Sequence, residues 1–364
     1  MGYTRYRYED LERLCSDVFQ KFGYSLDDSQ SITDVLLTSD LFGIESHGIQ
    51  RLILYYSGIK IGRIKVNARM KIINETSLSA VVDAQDSMGQ IVAKECMKIA
   101  IEKAKKLGVG IVIVRNSNHY GIAGYYARMA AMEGLIGISM TNTEALVIPT
   151  YGKRAMLGTN PIAISMPAQP IPFLLDMSTS VVTRGKTEVY EKNGKPLPLG
   201  WAVDRNGLDC DDAKELSDCI CNKICGGLLP LGGSTEKFGG HKGFGLSLAV
   251  ELFTSILSCG YTSDQVRKVT NIDRVCHAFF AIDYKMFGDK KEIEDKLSEY
   301  LQKLRDSDKA DGVSRIFTHG EKEMEAYNDR KEKGIPMNDA TMKEIKDICD
   351  YFGLSTSDYL KDII

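Results

Sequence analysis

The sequence has almost no surplus of either charge: forty-six Lys and Arg stand against forty-nine Asp and Glu, a net charge of -3. That balance gives no overall field for holding nucleic acid or anionic lipid, so neither partner is expected. No apolar run follows Arg5 and Arg7, so a secretory leader is not expected either. The longest uncharged stretch, Ala155 to Leu175, carries Pro161, Pro167, Pro170 and Pro172, a density that a lipid-spanning helix does not accommodate. Nine cysteines without regular spacing point to reduced thiols and a cytoplasmic location. Cys210, Cys219, Cys221 and Cys225 cluster, but not as the paired C-x2-C knuckles of a zinc site, and no metal is expected.

Two nucleotide signatures are missing as well. The dinucleotide fingerprint G-x-G-x-x-G does not occur between a strand and a helix; Gly108-Val109-Gly110 sits at the entry to a strand, the reverse context. Gly185-Lys186-Thr187 imitates the end of a P-loop, yet Ser180 stands where its first glycine belongs. An ordinary Rossmann enzyme and a nucleotide hydrolase are both unsupported.

What is present is a globular chain of 364 residues, 43% hydrophobic and 26% charged, long enough for two or three domains. Leu11, Leu14, Val18 and Phe22 predict a first helix ended by Gly23, and Ser25 with Asp28 predicts the capped start of a second. From Met70 onward, short apolar runs alternate with helical periodicity: Leu78 to Val82, Gln90 to Leu107, Val109 to Val114, Ala123 to Met132, Leu135 to Met140. This alternation predicts an α/β core. Gly243 to Leu257 reads as an apolar helix packed inside, and helices marked by Ile293 to Leu304 and by Met342 to Phe352 close the chain.

Only five histidines exist, and two stand in polar, glycine-containing contexts. In Ser46-His47-Gly48-Ile49-Gln50-Arg51, a helix continuing to Tyr55 would set His47, Arg51 and Tyr55 along one face. The other context, Asn116-Ser117-Asn118-His119-Tyr120-Gly121, follows a buried strand, where α/β proteins assemble their sites. A histidine there exchanges a proton near neutral pH, and an arginine holds a carboxylate with two prongs. Together they describe 2-hydroxy acid oxidation. Spacing alone leaves a second reading of each: His119 as a hydrogen-bonded loop residue, Arg51 as half of a surface ion pair.

These segments, with Gly158-Thr159-Asn160-Pro161, Asp176-Met177-Ser178, Arg184-Gly185-Lys186, Gly200-Trp201-Ala202-Val203-Asp204, and His241-Lys242-Gly243 with Glu251, resemble in order the malate/L-lactate dehydrogenase family of non-Rossmann type. The resemblance runs from the first helix to Gly334-Ile335-Pro336. It implies a central NAD(P)-binding α/β domain, here 69–310, packed against a helical domain from both chain ends, 1–68 and 311–364, in a homodimer. It implies His119 as the acid/base at the cofactor, with Ser46, His47, Arg51, Tyr55 and Glu144 around the substrate. Thr143, Asp176, Met177, Ser178, Lys242 and Gly243 match cofactor contacts. NAD is slightly favoured over NADP, and malate/oxaloacetate over lactate, ureidoglycolate or sulfolactate. A non-catalytic dinucleotide-binding regulator is the alternative of another class. Glu144 departs from the family's usual residue and, if it points into the pocket, opposes a second substrate carboxylate. The terminal helices, with their apolar faces, are the expected dimer interface.

Overall fold

The structure, a computed structural model, describes residues 2–267 and 272–360. β1 (Tyr3–Tyr6) leads into α1 (Tyr8–Lys21) and α2 (Leu26–Leu41), and α3 (Leu52–Lys60) follows two 3-10 turns. The central unit runs through β2 (Lys71–Glu75), β3 (Ser79–Asp83), α4 (Gly89–Leu107), β4 (Val109–Ser117) and α5 (Ala123–Met132). It continues with β5 (Ile136–Thr141), β6 (Ile162–Met166) and β7 (Phe173–Met177). A smaller lobe holds α6 (Arg184–Lys192), β8 (Ala202–Val203), α7 (Ala213–Cys221) and β9 (Gly227–Leu228), and α8 (Gly240–Glu251) follows it. The chain finishes with β10 (Val275–Ile282), α9 (Lys290–Asp306), α10 (Glu321–Lys333), β11 (Ile335–Asn338) and α11 (Asp339–Tyr351).

The seven-stranded sheet has the order β2-β3-β4-β10-β5-β6-β7. Only β3 and β4 pair in parallel. β10 enters between β4 and β5 and runs antiparallel to both, so the α/β core expected from strand and helix alternation is built on a mixed sheet. An apolar run records that a strand is buried on both faces, not which way its neighbours run. α4 and α5 cover one face, with Val92, Met97, Ala100, Tyr126 and Ala127 packed on Val82, Val112, Val114 and Phe279.

A second core joins the chain ends. Leu11, Leu14, Phe19, Ile32, Leu36, Ile49, Leu52 and Tyr55 pack with Ile335, Met337, Ile345 and Ile348. β1 pairs antiparallel with β11, Tyr3 opposite Asn338 and Tyr6 opposite Ile335. The terminal helices thus spend their apolar faces on one another.

The segment expected to be an interior helix differs in two ways. It begins at Gly240 and turns π-helical over Leu252–Ile256. Its buried face is polar, built from Ser247, Glu251, Thr254 and Ser255, while Leu248, Leu252 and Ile256 are 52%, 48% and 55% exposed. Mean apolarity does not reveal which face turns inward. β2 is likewise exposed along its whole length, so Ile72 and Ile73 lie on a solvated edge strand. Among the described residues no helix is long and apolar enough to cross a membrane.

Candidate active site

Asp40, near the end of α2 and almost fully buried, organises the first wall of the site. Its Oδ2 accepts the Ile49 N–H at 2.7 Å. Gly48 approaches so closely that a Cβ there would lie 1.9 Å from Asp40 Oδ1, which only glycine permits. Gly48 (φ -86°, ψ -149°) interrupts the helix expected through His47, Arg51 and Tyr55. In its place are two short turns, Glu45–His47 and Ile49–Arg51, each ending in a cationic or titratable side chain. Arg51 Nε donates to the Ser46 carbonyl at 2.5 Å, and Ser46 Oγ lies 2.9 Å from His47 Nδ1. From α10, Arg330 donates to the Asp40 carbonyl at 2.7 Å and to Glu45 at 2.9 Å, tying this wall to the C-terminal region.

The second wall is the loop after β4. Asn118 Nδ2 donates to the carbonyls of Asp86 and Ser87, both at 2.9 Å, which fixes the chain beside His119. The His119 ring stacks on His47 with centroids 5.5 Å apart and planes at 25°. Tyr55 Oη lies 2.7 Å from His119 Nδ1. Removal from water pushes the His47 imidazole down to about 4, helped by Arg51. The same effect holds His119 well below the usual histidine range, and the neighbouring His47, Arg51, Arg267 and His277 push it the same way. Both rings are neutral at pH 7, so His119 can accept a proton.

A cavity of about 460 Å³ is lined by Ser46, His47, Arg51 and His119 on these walls and by Thr143, Glu144, Asp176, Met177 and Ser178 from the sheet. Asp176 at the end of β7 accepts the Gly124 N–H at 2.7 Å in the first turn of α5. Burial still pushes its carboxyl up to about 6, with the Gly124 N–H opposing. Glu144 Oε1 receives Arg184 Nη1 at 3.1 Å and Arg267 Nη1 at 3.2 Å. Arg267 also pairs with Asp273 at 2.6 Å and Arg184 with Glu188 at 2.8 Å. Arg51 differs from both: among the described residues it has no acidic partner, and with its Nε on the Ser46 carbonyl its Nη groups are left for an anion from solution.

Three expected site residues stand apart from the cavity lining. Tyr55 is fully buried behind His119 and acts on the site through that ring. Lys242 is exposed in the first turn of α8. Gly243 packs on the backbone of Leu231, whose carbonyl oxygen would be 2.1 Å from a Cβ. The motif residues Asn160 and Glu251 form a buried hub: Glu251 accepts Asn160 Nδ2 at 3.1 Å, Asn142 Nδ2 at 3.3 Å and Ser255 Oγ at 2.6 Å, and also Ser263 Oγ. It fastens α8 to the end of β5. Arg267 and Asp273 escaped the sequence reading because they belong to no glycine-rich or strand-end segment, and only the fold sets them beside Glu144, more than 120 positions away.

The cavity combines apolar side chains, Leu146, Pro161, Met177 and Val275, with the hydroxyls of Thr143, Thr159 and Ser178. Such a donor set suits a flat, amide-bearing ring like nicotinamide, which needs an apolar face and a few fixed hydrogen-bonding groups.

A family model described as malate/L-lactate dehydrogenase matches residues 6–346. The chain is similar to the malate dehydrogenase of Pyrococcus abyssi, 44% identical over 354 residues, or 97% of this chain and 96% of that one. It is similar to the L-sulfolactate dehydrogenase of Methanocaldococcus jannaschii, 38% identical over 97% of this chain and 98% of that one. The crystal structure of malate dehydrogenase from Entamoeba histolytica superposes with a TM-score of 0.94 at 36% identity, covering 97% of this chain and 99% of the other.

Proposed function

This chain belongs to the malate/L-lactate dehydrogenase family and is an enzyme, and from that premise we propose that it interconverts malate and oxaloacetate with NAD or NADP, NAD slightly favoured. The observation that carries this reading is that the Nη groups of Arg51, without an acidic partner among the described residues, share one cavity with a neutral His119. A nicotinamide held in the cavity would supply the hydride acceptor and donor for C2 of the acid. Thr143, Asp176, Met177 and Ser178 of the 69–310 unit would hold it, while Lys242 and Gly243, which the family resemblance also assigns to the cofactor, lie outside the cavity lining.

The remaining chemistry belongs to the side chains. Arg51 clamps the C1 carboxylate through its Nη groups, orienting C2. His119 takes the hydroxyl proton on Nε2 during oxidation and returns it during reduction. Because a phenol both donates and accepts, Tyr55 follows either tautomer of His119 and supports the imidazolium when it forms. Neutral His47 stacks on the ring without adding a like charge, and Ser46 keeps it oriented.

The test is kcat/KM for oxaloacetate against pyruvate with both cofactors, and for malate, lactate, ureidoglycolate and sulfolactate in reverse. Malate and oxaloacetate are expected to lead. A tenfold advantage for pyruvate, about 1.4 kcal/mol in transition-state binding, would overturn the malate assignment while leaving the dehydrogenase intact.

Two further parts of the reading concern the whole molecule. The exposed apolar side chains Leu248, Leu252 and Ile256 support a homodimer built on α8 and the π-helical stretch after it, because the terminal helices bury their apolar faces within the chain. Light scattering should give a mass above the 40.4 kDa of one chain. The nine unbridged cysteines are in keeping with a cytoplasmic enzyme.

A further inference from the structure

We propose that Glu144 is a resident counter-anion of the cavity and sets the choice between substrates bearing one negative charge and substrates bearing two. The inference rests on the hydroxy-acid dehydrogenase reading of this pocket and adds the residues that discriminate at its far end.

A single carboxylate oxygen, Glu144 Oε1, takes one N–H from Arg184 and one from Arg267. Both arginines line the cavity that holds Arg51 and His119. Arg267 is near enough for its charge to act on the His119 ring. A dicarboxylate or a sulfonated carboxylate anchored at C1 by Arg51 must send its distal anion to some other cation, and among the described residues Arg184 and Arg267 are the further arginines lining this cavity. Glu144 already occupies the inward N–H groups of both. Among the described residues the charges linked at this end are balanced: Arg63, Arg184 and Arg267 against Glu144, Glu188 and Asp273. A distal anion therefore has to share the two guanidiniums with Glu144, which weakens their preference for a second negative charge without abolishing it. A substrate ending in a methyl group meets no such opposition. Removing the Glu144 charge leaves one net positive charge at this end, with the two arginine N–H groups held only by a neutral acceptor that a second carboxylate or sulfonate can displace.

The experiment compares kcat/KM for oxaloacetate and pyruvate in the full-length wild-type protein, in Glu144→Gln and in Arg184→Met. Glutamine keeps the shape and an acceptor oxygen, so the arginines retain a partner, and thermal unfolding of each variant reports its fold. Glu144→Gln should raise the oxaloacetate-to-pyruvate ratio at least tenfold. Arg184→Met, whose other partner Glu188 is a half-exposed side chain, should lower the ratio at least threefold. An unchanged or falling ratio in Glu144→Gln overturns the proposal, as does an equal loss on both substrates in either variant. The outcome is separable from the malate assignment: wild-type protein that prefers pyruvate defeats malate, while a ratio that rises in Glu144→Gln still upholds the role of Glu144.

Discussion

The Tyr55 hydroxyl and His119 Nδ1 are 2.7 Å apart, although the residues are 64 positions apart in sequence and belong to different units of the fold. Tyr55 is rooted in the core formed by both chain ends, and His119 sits on the loop after β4. A helical residue outside the cavity lining thereby reaches the ring inside it by a hydrogen bond that accepts either tautomer. Tyr55→Phe keeps the packing and removes this bond. Hydrogen bonds to charged groups contribute about 1.5–3 kcal/mol, so kcat should fall about ten- to hundredfold with cofactor affinity retained. Unchanged kcat would show that stacking on His47 and the Gly121 N–H, 3.4 Å from His119 Nδ1, are enough to hold the ring.

His119 is held below the usual histidine range, so the neutral base persists to pH values where a free histidine is already protonated. In the oxidation direction kcat/KM should be flat from pH 8 down through 6.5 and fall only in more acid solution. An acid limb near 6 that vanishes in Asp176→Asn belongs to Asp176, whose carboxyl is pushed up to about 6. A limb centred at 6.5 and retained in that variant contradicts the assignment of His119. His119→Asn should lower kcat at least about a hundredfold while cofactor binding persists.

Arg51→Lys preserves the charge but loses the two-pronged geometry and the Nε bond to the Ser46 carbonyl. We expect kcat/KM for the oxo acid to drop at least about tenfold, with the larger part in KM. A near-normal value would reduce Arg51 to a strut of the Glu45–Arg51 turns.

Asp40 couples stability to pH. Burial pushes its carboxyl up to about 8, with the Ile49 N–H and Arg330 opposing and Glu45 reinforcing the rise. The unfolded chain releases this proton near pH 4, so between about 4 and 8 the folded state binds one proton more. Its contribution to stability is therefore complete below about pH 4 and is lost as pH rises through 8. Asp40→Asn removes the titration, and its unfolding temperature should gain on the wild type between pH 5 and pH 9. Parallel curves for the two proteins would show that Asp40 is ionised in the folded state.

Local signals made much of this architecture readable. Ser25 accepts the Asp28 N–H at 3.1 Å and Asn338 the Thr341 N–H at 2.8 Å, as the capping pattern of the sequence implies. α5 spans Ala123–Met132, the range that its periodicity marked out. The loops carrying His47 and His119 announced themselves by polar, glycine-containing stretches, whereas Asp176, at the end of β7, was marked only by the family resemblance. Partnership over long distances was not readable. Nothing in Val275–Ile282 says that this strand divides β4 from β5, and nothing around Arg267 says that it meets Glu144. The face of α8 was misjudged because its inward residues are the polar hub around Glu251 and its outward ones are leucines.

The pairing of β1 with β11 has a consequence for how the protein is made. Every residue that lines the cavity precedes Cys276, yet the wall bearing His47 and Arg51 is backed by Ile335, Met337, Ile345 and Ile348 and strapped by Arg330. A chain emerging from the ribosome therefore carries all of its cavity-lining groups some seventy residues before the segment that seats them has been synthesised. β11 and α11 work as a latch on the first histidine wall, whose backing is made only when translation reaches them.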